Sequence, residues 1–99
     1  MTVMIFQSTI ENPNKFFDYD FAMNHGGIYP KTYRKVYQGR VPAGNLEEVF
    51  MYLNYDRPDG YVGHSLSVSD IIFDMTTGKY FYCDSFGFKE IDFEVNAYV

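Results

Sequence analysis

The chain is poor in cysteine, in tryptophan, in positive charge and in long apolar runs. Cys83 is the one cysteine among 99 residues, so no internal disulfide can form. A lone thiol fits a reducing compartment. No apolar stretch approaches the ~18 residues that a membrane-spanning helix needs. The opening Met1-Thr2-Val3-Met4-Ile5-Phe6 has neither the basic flank nor the cleavage site of a secretion signal. These absences predict a cytoplasmic protein of one domain, residues 1–99, with no membrane partner. Lys and Arg number 8 against 13 Asp and Glu, a net charge of −5. That balance repels phosphate backbones and attracts basic protein surfaces.

The cofactor motifs are missing too. His25, His64 and Cys83 are the only soft metal-ligand candidates, and their spacing matches no zinc pattern. Gly26, Gly27, Gly60 and Gly63 are not followed by the Gly-Lys-Ser/Thr of a phosphate loop. No cofactor and no metal is expected.

Aromatic rings are plentiful: ten Phe and ten Tyr make up 20% of the chain. So many Tyr exceed what a small core can hold, so several belong on the surface, where Tyr is a favoured contact residue. Charge is unevenly placed. Residues 1–45 carry five cations and three acids, and residues 46–99 carry three cations and ten acids.

Local patterns predict an α+β fold. About five mostly antiparallel strands form a curved sheet or small half-barrel, with one or two short helices packed on it. Residues 2–9 are rich in β-branched and aromatic types and read as a strand, ended by Pro13 between two Asn. Residues 16–23 form a short helix stopped at Gly26-Gly27, with Gly26 as its left-handed cap. Residues 33–41 alternate, with Tyr33, Lys35 and Tyr37 on one face and Arg34, Val36 and Gln38 on the other. The clearest helix runs over 45–54. Asn45 caps it, Glu48 completes a capping pair, and Leu46, Val49, Phe50 and Leu53 form one apolar stripe.

The organising stretch is Gly60 to Phe93. Leu66 and Val68 share one phase, but Ile71, Phe73 and Met75 share the other, so the pattern slips at Ser69-Asp70. A slip in a two-residue period requires a bulge or tight turn. Ser and Asp side chains can bond nearby backbone, so Ser69 and Asp70 read as turn-makers, with Gly63, His64 and Ser65 in the turn before them. Met75 to Gly78 is a hairpin turn, Lys79 to Phe86 the return strand, and Ile91, Phe93 and Val95 mark a last strand with Glu90, Asp92 and Glu94 on its outer face.

Three chemistries compete for this pattern. His64, Ser65 and Asp70 contain the residue types of a hydrolytic relay, but a relay needs convergence in space, and a polar turn explains the same residues. Lys31, Arg34, Lys35 and Arg40, interleaved with Tyr29, Tyr33 and Tyr37, resemble a single-strand nucleic-acid platform. Total charge argues against it. The third is a protein-binding surface of acids and tyrosines.

The run Gly63-His64-Ser65-Leu66-Ser67-Val68-Ser69-Asp70-Ile71-Ile72, followed by Tyr82-Cys83-Asp84-Ser85-Phe86-Gly87-Phe88-Lys89-Glu90-Ile91, resembles the YodL-like domain family. Tyr33 to Gly39, Leu46 to Phe50 and Arg57 to Tyr61 are similar to that family's pattern in the same order. The resemblance implies a protein of a phage or conjugative element, within a family whose bacillar member is linked to the actin-like cell-shape machinery. It supplies no catalytic residue set. Small proteins of such elements often disarm host defences, anti-CRISPR proteins among them. The Ser69-Asp70 turn is also similar to one in PUA-like RNA-binding barrels.

The expectation is therefore a non-catalytic module that occupies a basic surface of a host protein, in its sharpest form a CRISPR effector nuclease. Glu47, Glu48, Asp56, Asp59, Glu90, Asp92 and Glu94 would supply the charge, and Tyr52, Tyr55 and Tyr61 the anchors. The alternatives are a PUA-like RNA-binding domain, or a regulator of an actin-like filament.

Overall fold

The computed structural model describes residues 1–93. Five strands build one open antiparallel sheet: β1 (Thr2–Ser8), β2 (Tyr33–Arg40), β3 (Ile71–Asp74), β4 (Lys79–Cys83) and β5 (Phe88–Ile91), in the order β2-β1-β3-β4-β5. The helices are α1 (Tyr19–Asn24) and α2 (Leu46–Tyr55), with a single 3-10 turn at Pro30–Thr32. No helix among the described residues is long and apolar enough to cross a membrane.

β1 lies inside the sheet, between β2 and β3, and both its faces are apolar. Val3 and Ile5 point to one side, Met4 and Phe6 to the other. A strand buried on both faces reads as a continuous apolar run rather than an alternation. Each side has its own helix. Val49 and Leu53 of α2, both fully buried, pack with Val3, Ile5, Ile72 and Cys83. Ala22 of α1 packs with Phe6, Tyr33, Ile71 and Tyr82. Burying side chains such as Val49 and Leu53 contributes roughly 1.5–3 kcal/mol each. The connection from β2 through α2 to β3 passes over β1, and this crossover lays α2 across one face.

α2 begins as its sequence predicts, with one shift. Asn45 Oδ1 accepts the Glu48 N–H at 2.8 Å, but Glu48 Oε1 accepts from Gly44, one residue before the cap, at 2.9 Å. α1 is capped by Asp18, whose Oδ1 accepts the Phe21 N–H at 2.8 Å. At its other end Gly26 takes φ +97°, which lets the Gly27 N–H close on the Ala22 carbonyl.

Four sequence expectations need correction. The first helix starts at Tyr19 rather than at residue 16, where Phe16 takes φ +71°, and the return strand ends at Cys83 rather than Phe86. The simple alternation of β2 fails because a bulge moves the register from Ile5↔Tyr37 to Phe6↔Lys35. Val36 is the extra residue. It and Tyr37 are therefore buried in succession, while Arg34 and Lys35 are both exposed. The last strand starts earlier than expected: Gly87, at φ +73°, turns the chain so that Phe88 already pairs with Cys83. Glu94 and Val95 lie outside the described residues.

Candidate functional site

The Gly63 to Asp70 run is irregular backbone wrapped around one side chain of β1. Gln7 is 2% exposed. Its Oε1 accepts the His64 N–H at 3.1 Å, and its Nε2 donates to the His64 carbonyl at 2.9 Å and to Asp70 Oδ2 at 3.0 Å. Tyr61 donates its hydroxyl to the same His64 carbonyl at 2.7 Å. Gly63 is required for the approach. A Cβ there would collide with Gln7 Oε1 and lie 2.9 Å from Val36 Cβ. Asn54 ties the run to α2 by accepting the Leu66 N–H at 2.6 Å.

Ser69 and Asp70, 0% and 1% exposed, form the hinge into β3. Ser69 takes φ +82°, uncommon for a residue with a Cβ. Its carbonyl accepts from the Tyr33 hydroxyl at 2.6 Å, its hydroxyl accepts the Phe16 N–H at 2.9 Å, and its N–H bonds Cys83 at 2.9 Å. Asp70 Oδ2 accepts the Ser67 N–H at 2.8 Å. Burial pushes the Asp70 carboxyl up to about 7, against the lowering effects of the Ser67 and Gln7 hydrogen bonds and the Lys15 charge. Burial, together with the Asp70 charge, also raises the Tyr61 hydroxyl to about 12 and lifts the Cys83 thiol.

His64, Ser65 and Asp70 are thus near one another without forming a relay. His64 Nδ1 sits 2.6 Å from the Ser65 carbonyl, a contact that places the ring proton on Nδ1. Ser65 Oγ accepts from Arg57 Nη2 at 2.8 Å. Gln7 stands between His64 and the Asp70 carboxyl. The polarity of this run satisfies backbone and buried groups. Among the described residues no group of three His, Cys, Asp or Glu could hold a metal ion.

The nominated binding residues lie on several elements. Glu47 and Glu48 are exposed on the first turn of α2, and Asp56 and Asp59 on the loop that follows it. Glu90 lies on the outermost strand, 3.5 Å from Lys79, and shares a shallow concavity with Asp92. Tyr55 is 82% exposed and available for contact. Tyr52 and Tyr61 are half-buried against the α2 side of the core.

A groove lies between α2 and the turn joining β4 to β5. Glu47, Phe50 and Met51 line it from the helix, and Asp84 and Phe88 from the turn and β5, around a cavity of about 340 Å³. Phe50 and Phe88 meet edge to face, centroids 6.3 Å apart. Phe86 projects from the turn with 94% of its surface exposed, and Met51 is 58% exposed.

A family model for the YodL-like domain matches residues 2–93. The chain belongs to the YodL-like domain family. Neither the curated proteins nor the solved structures give a match. The matched span takes in every strand and both helices. Within this YodL-like domain, the hub of the polar run is Gln7, which sequence reasoning missed. A lone Gln carries no motif, and its only trace is its place after Val3-Met4-Ile5-Phe6, where a fully buried strand admits a polar residue. The groove was missed because Phe50 belonged to the helix stripe and Phe88 lay beyond Gly87, where the return strand was expected to have broken. Their neighbourhood depends on the Cys83↔Phe88 register.

Proposed function

We propose that this YodL-like domain is a non-catalytic protein-binding module that acts by covering a cationic surface of a host protein. The observation that carries the reading is the groove between α2 and β5, where exposed Met51 shares the lining with Glu47 and Asp84, and exposed Phe86 sits in the adjoining turn. Large exposed rings and thioethers next to carboxylates suit a partner that is basic and partly apolar. In its sharpest form the module comes from a mobile element and inhibits a defence nuclease of the anti-CRISPR-sensitive kind, whose nucleic-acid channel is cationic. The family membership and the net charge of −5 support that form.

The test is capture of a partner from bacterial lysate at low and high salt, followed by nuclease assays with a purified RNA-guided effector. The reading expects salt-sensitive capture that is lost in a Glu47→Lys/Glu48→Lys variant. Capture indifferent to salt and to that charge reversal would refute it. The RNA-binding alternative has Arg34, Lys35 and Arg40 exposed on β2 in its favour. It lacks stacking rings there, since Tyr33 and Tyr37 are 3% and 8% exposed. Retention of RNA on a filter at low salt would support it.

A further inference from the structure

The protein-binding reading is the starting point, and the groove beside α2 specifies the kind of segment that would bind. We infer that the groove seats one bulky apolar side chain of a basic partner segment, and that Phe86 inserts into the partner in return.

The walls select an apolar group. Phe50, Met51 and Phe88 face the cavity, and the edge-to-face pair of Phe50 and Phe88 fixes its floor. At about 340 Å³ it lies near the lower limit of small-molecule pockets, which run from roughly 300 to 1,000 Å³. It has room for a large side chain and little of the backbone that carries it.

The rim selects cations beside that group. Glu47 and Asp84 line the groove, and no Lys or Arg does so among the described residues. Asp84 uses Oδ1 to accept the N–H groups of Tyr19 and Ser85. The nearby cations are turned away or engaged. Lys89 pairs in register with Tyr82, so it shares the α1 side of the sheet, whereas Phe88 pairs with Cys83 on the α2 side. Lys79 stands 3.5 Å from Glu90.

The turn supplies the reciprocal contact. Gly87 at φ +73° holds the turn that carries Phe86 outward. A partner that covers such a ring removes its apolar surface from water. The β2 cation cluster of a second copy does not offer the matching segment. That exposed cluster is Arg34, Lys35 and Arg40, and the apolar residues between them, Val36 and Tyr37, are buried.

The experiment is selection of random displayed peptides on the immobilised protein, with Met51→Asp and Phe86→Ser as counter-targets. Both residues are exposed, and melts of the two variants should overlay the parent's. The expected peptides carry a Leu, Met, Phe or Trp flanked by Lys or Arg and bind each variant at least about tenfold more weakly. Basic peptides that bind parent and variants alike overturn the groove assignment and leave the acidic-surface reading standing. Peptides without cations overturn both. An empty selection, or a sedimenting dimer abolished by Phe86→Ser, overturns the seat for a foreign segment.

Discussion

Replacing Asp70 by Asn should change the pH dependence of stability more than stability itself. The carboxyl is 1% exposed and sits at about 7, against an ordinary value of 3.8. Its folded-state affinity for the proton exceeds its unfolded-state affinity. Its contribution is fully present below about pH 4 and is lost as pH rises through about 7. Roughly three pH units at ~1.4 kcal/mol each gives an upper bound of about 4 kcal/mol, and relaxation around the ionised group reduces it to a few. The other carboxylates titrate in both proteins, so their effects cancel in the difference. Urea denaturation of parent and Asp70→Asn across pH 4 to 8 is the assay. The variant should gain about 2–4 kcal/mol relative to the parent over that range, whatever its offset at pH 4. Lys15→Met in the parent should move the window upward, because the Lys15 charge helps hold the proton off. Parallel curves for parent and Asp70→Asn would refute the argument that burial governs this carboxyl.

Gly63→Ala should cost about 1–3 kcal/mol in a denaturant melt, because the new methyl meets Gln7 and the backbone-fixed Val36 at once. Asn45→Ala should cost about 1 kcal/mol by the same measurement, through loss of the bond to the Glu48 N–H. Cys83, 1% exposed and with its thiol raised by burial, should resist an aromatic disulfide reagent in the native protein and react at once in denaturant. Rapid native labelling would contradict its place in the core.

Elements governed by local chemistry were legible. Asn45 with the stripe Leu46, Val49, Phe50 and Leu53 specifies α2, Gly78 at φ +75° marks the β3–β4 turn, and Gly26 closes α1. The phase slip at Ser69-Asp70 corresponds to a positive φ at Ser69. What depended on pairing was not legible. The β2 bulge is specified by the partner strand, so Tyr33, Lys35 and Tyr37 look like one face until β1 is laid beside them. Acids spaced along residues 47–92 look like one patch until the structure puts Glu47 in the groove with Phe88 and Glu90 beside Lys79.

The polar run and the groove stand in a physical relation. A His, a Ser and an Asp within seven positions suggest chemistry. Yet Gln7, Arg57 and backbone groups engage Asp70 Oδ2, the Ser65 hydroxyl and His64 Nδ1. Those bonds anchor the run to β1 and to α2, through Gln7 and through Asn54. Asp70 in turn bonds the Cys83 N–H through its carbonyl at 2.8 Å, and Cys83 pairs with Phe88. The run therefore braces both walls of the groove: α2 through Asn54, and the β4–β5 end through Asp70. Apolar walls held at a fixed separation suit the proposed recognition role, because a preformed seat spares a partner the entropy of forming it.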